Sequence, residues 1–105
     1  MENMSSKQRA YLKSLAQKID AIFQVGKNGI TPEITEAINL ALEARELVKI
    51  SVLNNCELDP KFISEVISER THSVPVQVIG KKIVLYKASK QNPKIVLPQV
   101  KKTKS

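Results

Sequence analysis

Two dipeptides constrain this chain more than any other feature, Thr31-Pro32 and Asp59-Pro60. Each places a side-chain acceptor directly before a proline, the order expected of an N-cap followed by the first helical residue. Each also follows a run of β-formers, AIFQV at 21–25 and LVKISVL at 47–53. The chain therefore reads as two strand-to-helix units in succession. After Pro32 the apolar residues Ile34, Ala37, Ile38, Ala41 and Leu42 fall on one helical stripe. After Pro60 the stripe is Phe62, Ile63, Val66 and Ile67.

The flanking segments complete the order. Ser6 is placed to cap a helix over 7–19, with Tyr11, Leu12, Leu15, Ala16 and Ile19 as its apolar face. VPVQVI at 74–79 and KIVLYK at 82–87 flank Gly80-Lys81, a two-residue link suited to a hairpin with glycine first. Pro75 cannot donate a ladder hydrogen bond, so its strand belongs at a sheet edge. KIVLP at 94–98 is expected to dock on the body, and QVKKTKS to be a disordered basic tail. The reading is α-β-α-β-α-β-β, a mixed four-stranded sheet in an α/β, two-layer α+β sandwich. Right-handed crossovers put the second and third helices on one face. Residues 1–98 form one domain and 99–105 the tail; 105 residues, 42% of them hydrophobic, suffice for one core and not for two.

Charge is segregated along the chain. The net charge is +7, but residues 1–29 carry +3, 30–69 carry −5, and 70–105 carry +9 with no acidic residue. A polyanion-binding face opposed by an acidic back explains this better than a need for solubility. One cysteine, Cys56, excludes an internal disulfide and a cysteine zinc site. His72 is the single histidine, so neither a metal cluster nor a Cys-His nucleophile is supported. Glu33, Glu36, Glu43 and Glu46 read as the solvated face of the second helix. The expectation is a binding protein and not an enzyme, with no cofactor and no metal. The start MENMSSKQRAY has no apolar core of a signal peptide, and no apolar run approaches membrane-spanning length, so a cytoplasmic, monomeric protein without a membrane partner is expected.

The remaining signal is Gly26-Lys27-Asn28-Gly29, which holds two of the three glycines and lies between the first strand and the second helix. The first amides of a helix have no intrahelical partners and attract anions. Glycines there let a phosphodiester backbone press against the loop, Lys27 adds charge at the tip, and Asn28 tolerates left-handed geometry. A short G-x-x-G loop clamping nucleic-acid backbone is the device of KH domains. The nucleotide-triphosphate pattern G-x-x-x-x-G-K-[ST] is absent. With only Tyr11, Phe23, Phe62 and Tyr86 as aromatics, an RRM- or OB-type stacking platform is excluded. Recognition of backbone and shape follows.

LKSLAQKIDAIFQVGKNGIT, ALEARELVKISVL and VQVIGKKIVLYK, in that order, resemble the YhbY-type proteins, bacterial members of the CRM (chloroplast RNA splicing and ribosome maturation) family. The resemblance covers about residues 5–98. It implies a fold like the C-terminal domain of translation initiation factor three and RNA binding through Gly26, Lys27, Asn28 and Gly29. It also implies association with precursors of the large ribosomal subunit. Lys7, Arg9, Lys13, Lys18, Lys81, Lys82 and Lys87 are candidates to extend the RNA surface. The alternatives are a general chaperone of structured RNA, and a module docking on a ribosomal protein through the acidic second helix. In that family the third helix typically ends in Thr-Gly, where this chain has Thr71-His72; histidine enters left-handed space more readily than most residues. Pro75 departs from the family pattern as well.

Overall fold

The structure is a computed structural model that describes residues 4–91 and 93–98. Helix α1 spans Ser6–Ala16, α2 Pro32–Arg45 and α3 Pro60–Thr71. The strands are β1 Phe23–Val25, β2 Leu47–Val52, β3 Val74–Ile79 and β4 Lys82–Tyr86. The order is the expected one, and the strands form one mixed sheet arranged β1-β2-β4-β3. β1 and β2 are parallel, whereas β4 runs antiparallel to both β2 and β3. The Pro75 strand lies at the edge, as its missing donor requires. The expected tail, 99–105, lies outside the described residues.

Both proline-led helices start as anticipated. Thr31 Oγ1 accepts from Ile34 N at 3.1 Å, and Asp59 Oδ1 accepts from Lys61 N at 3.0 Å. In α1 the cap is Ser5 and not Ser6. Ser5 Oγ accepts from Gln8 N while Gln8 Oε1 accepts from Ser5 N, a closed capping box. The α3 terminus turns at His72 in the left-handed region (φ 57°), doing there what glycine does in Thr-Gly. Gly80 opens the β3–β4 hairpin with φ 56°.

Ile38 and Leu42 of α2 and Ile63 and Ile67 of α3 pack on Val25, Val48, Ile50, Val52, Ile83 and Leu85. Full burial of each such side chain stabilises the fold by roughly 1.5–3 kcal/mol. The two-layer expectation needs a correction, because α1 covers the other face. Leu12 and Ala16 pack there with Leu47, Val76, Val84 and Tyr86. The sheet is thus covered on both sides, which is why the β4 residues Ile83, Val84, Leu85 and Tyr86 are all buried. Phe62, expected in the core, is 49% exposed; the inward face of α3 is instead Ile63, Ser64, Ile67, Ser68 and Thr71.

A second correction concerns Glu46, read as solvated. It is fully buried just beyond the end of α2, with φ 70°. Its carboxylate accepts three backbone N–H groups at 2.7 Å each, from Ser89, Lys94 and Ile95. Burial alone pushes this carboxyl up, but those three donors and the Lys94 charge outweigh burial and hold it below the ordinary glutamate value. The bonds fasten the C-terminal segment so that Ile95 and Leu97 pack on the α1-side core, in line with the expected docking of 94–98.

Candidate functional site

The parallel β1–β2 pairing brings two strand-to-helix junctions to the same end of the sheet. At the first, β1 ends at Val25, and Gly29 N donates to Gly26 O at 2.9 Å, closing Gly26-Lys27-Asn28-Gly29 as a four-residue turn. Lys27 and Asn28 form its exposed tip. Gly29 has φ 67°, a conformation in which other residues are strained. Gly26 answers a different demand. A Cβ there would lie 3.1 Å from Asn55 Oδ1 and 3.2 Å from Leu53 Cδ1, so its absence lets the two junction loops approach each other.

The second junction runs from Leu53 to Asp59. Leu53 N donates to Val25 O at 2.8 Å, and Cys56 N donates to Leu53 O at 3.1 Å. Between Lys27–Gly29 and Asn55–Leu58 lies an open groove of about 440 Å³. The N-termini of α2 and α3 both face this end, so two sets of unpaired helix amides and two positive dipole ends converge on it.

The β3–β4 hairpin arrives at the same end. Val52 N donates to Lys81 O at 2.7 Å, and Lys82 pairs with Ser51 while Val25 pairs with Val52. Exposed Lys81 and Lys82 therefore stand about two strand spacings from β1, roughly 10 Å. Acidic Glu33, Glu57 and Asp59 are exposed on the helix starts and the second loop, and positive charge at this end comes from the Lys27 tip, the hairpin and exposed Lys61 at the start of α3.

The other candidates are placed differently. Lys7 and Lys13 are exposed on α1, on the opposite face of the sheet from α2 and α3, and Lys18 follows the end of that helix. Arg9 Nη1 donates to Pro75 O at 2.7 Å and Val76 O at 3.0 Å, where the β3 register shifts. Its guanidinium serves the protein's own carbonyls at an edge bulge. Lys87 Nζ donates to Asn39 Oδ1 at 3.2 Å and lies 4.0 Å from Glu43 Oε1. Tyr86 is buried in the α1-side core; burial, then the nearby Glu46 charge, pushes its hydroxyl pKa up. The Asn54–Leu58 loop was not anticipated as part of the site. Its signal was the second strand-to-helix junction itself, the same device as the first.

Among the described residues no helix is long and apolar enough to cross a membrane. No cluster of three or more His, Cys, Asp or Glu with metal-holding geometry occurs among them either.

The chain is similar to known proteins in sequence and in fold. The solution structure of the hypothetical protein SAV1595 from Staphylococcus aureus is 49% identical to this chain and superposes with a TM-score of 0.76, covering 91% of this chain and 100% of that one. The Bacillus subtilis protein named "Probable RNA-binding protein YqeI" is 47% identical over 95 residues, spanning 90% of this chain and 99% of the relative. A Haemophilus influenzae protein named "RNA-binding protein" is 34% identical over 99 residues, spanning 94% and 99%. The family model for the CRS1 / YhbY (CRM) domain matches residues 4–87, from the start of α1 to the end of the hairpin. The chain belongs to the CRS1/YhbY (CRM) domain family.

Proposed function

We propose that this protein binds RNA through the end of the sheet built by Gly26–Gly29, and that the RNA it serves is the precursor of the large ribosomal subunit. The observation that carries the reading is one convergence. The exposed Lys27-Asn28 turn, the N-termini of α2 and α3, and the Lys81-Lys82 hairpin share a single end of the molecule. Amide donors and lysines without bulky aromatics suit phosphate and backbone shape better than base edges. Relatives of nearly full length carry RNA-binding names, which supports the same class of ligand. The family's link to ribosome maturation supports the choice of RNA.

The protein acts in this reading as a cytoplasmic monomer and by binding, not by catalysis. It holds a folded segment of precursor RNA and then leaves. Crosslinking the protein to RNA in growing cells, followed by sequencing of the attached fragments, tests the assignment. Fragments concentrated in precursor large-subunit RNA are expected. Fragments spread over unrelated structured RNAs would replace it with a general chaperone role.

A further inference from the structure

A second basic concavity lies at the other end of β2. A groove of about 550 Å³ opens where α1 ends against the beginning of that strand. Lys18, Arg45 and Lys49 line it, and Asp20 is the one acidic residue among its described lining. Its floor is aliphatic, formed by Leu15, Ile19, Leu47 and Ile95. Lys49 is half-buried on the α1 side of β2, between core Leu47 and half-buried Ser51, and it forms no ion pair among the described residues, where the pair present is Lys87–Glu43.

We propose that this groove is a second RNA-backbone site, in which Lys18, Arg45 and Lys49 engage phosphates of the same RNA that meets the Gly26–Gly29 turn. The inference rests on the RNA-binding reading above. Three cations against one carboxylate around an apolar wall concentrate positive potential, because a low-dielectric wall focuses the field of the charges beside it. The two sites are joined by β1 and β2. Ile22 N donates to Lys49 O at 3.0 Å, and from there β1 leads directly to the Gly26–Gly29 turn. Along β2 the path from Leu47 or Lys49 to Val52 is three to five residues, roughly 10–17 Å. One folded RNA segment spans that distance. A polyanion with charge along its whole length satisfies both sites at once, which favours RNA over an acidic peptide as the occupant. Ile95 lies on the segment that the Glu46 carboxylate fastens, so that segment contributes to the floor of the groove.

The test uses the full chain and a fluorescein-labelled RNA stem-loop taken from precursor large-subunit RNA, with affinity measured by anisotropy across a salt series. Arg45→Gln/Lys49→Gln is expected to weaken binding tenfold or more and to flatten the slope of log K against log salt by about 1.4–1.8, the loss of two phosphate contacts. Lys18→Glu, on an exposed residue, gives a surface variant that does not depend on core packing and is expected to weaken binding as well. Melting curves identify variants that fail to fold. If both variants fold and bind with the parent's affinity and slope while Lys27→Glu loses binding, the groove is not an RNA site although the RNA-binding reading stands. If the parent itself ignores RNA, both readings fall together. A peptide of alternating glutamate and leucine that binds the parent but not Arg45→Gln/Lys49→Gln, with RNA binding unchanged, would overturn the proposal and reassign the groove to a protein partner.

Discussion

The Glu46 carboxylate and the Ile95 backbone N–H, 49 positions apart in sequence, meet at 2.7 Å where the segment after β4 crosses the end of α2. Through this bond and its companions from Ser89 and Lys94, one buried side chain ties three backbone groups of the segment after β4 to the end of α2. Removing the acceptor leaves three backbone donors without their partner. Glu46→Ala is expected to cost about 2–4 kcal/mol, in the range for breaking a buried, charge-assisted network. Chemical denaturation of parent and variant measures it. A change below about 0.5 kcal/mol would mean the segment docks through Ile95 and Leu97 alone.

The same carboxylate makes stability depend on acid. Its pKa in the folded state is lowered, so its stabilising contribution is complete above the unfolded value, about 4.3, and is lost as pH falls through the folded one. Melting temperature should therefore decline more steeply below about pH 4.3 in the parent than in Glu46→Gln, which has no carboxylate to protonate. Parallel declines would assign the acid sensitivity to other groups.

His72 and Gly80 share a left-handed backbone at positions with different demands on the side chain. His72 is exposed and closes α3, so its side chain carries the strain of that geometry without a compensating burial. His72→Gly is expected to stabilise the protein by about 1 kcal/mol, the relief of a non-glycine residue in that region. Thermal unfolding checks it, and a fall in melting temperature would show that the imidazole contributes contacts of its own.

How much of this was legible depends on how local each cause is. Thr31-Pro32, Asp59-Pro60 and Gly80-Lys81 act within three or four residues, and the structure follows them closely. Two adjacent serines, Ser5 and Ser6, offer the same cap by spacing to the apolar stripe; the tie is broken by Gln8, which stands three residues after Ser5 and completes its box. The face covered by α1 was not legible from β2 alone, where Lys49 and Ser51 suggest solvent. The unbroken apolar run of Ile83 to Tyr86 was the better guide, since a strand buried on both sides has no polar alternation. Glu46 was least legible of all. Its donors lie 43 to 49 residues away, and no local pattern marks a glutamate at the end of an acidic helix as buried. At the site the glycine pair is legible from spacing, but Gly26 answers to Asn55 and Leu53 across a loop contact that spacing does not reveal.

The two glycines should accordingly respond differently to substitution. Gly26→Ala displaces the ends of the Leu53 and Asn55 side chains and is expected to cost about 1 kcal/mol. Gly29→Asp forces a β-carbon into φ 67° beside Leu58 and is expected to cost about 1–2 kcal/mol, while also placing negative charge at the proposed contact. Unfolding curves and RNA titrations on the same samples separate the effects. Equal loss of RNA affinity in both variants, scaling only with stability, would count against a direct contact at Gly29.

The measurement that bears most directly on the central claim is Lys27→Glu, read as affinity for the RNA stem-loop on folded protein. Lys27 is an exposed tip residue, so stability should change by less than about 0.5 kcal/mol. The account predicts that the parent binds with a slope of log K against log salt of about −3.5 to −4.5, corresponding to about five phosphates. Lys27→Glu should lower the affinity tenfold or more and flatten that slope, whereas Lys104→Glu, on the stretch expected from the sequence to be a tail, should change both far less. A folded Lys27→Glu variant that binds RNA as tightly as the parent, with the same slope, would contradict it and leave Gly26–Gly29 as a turn.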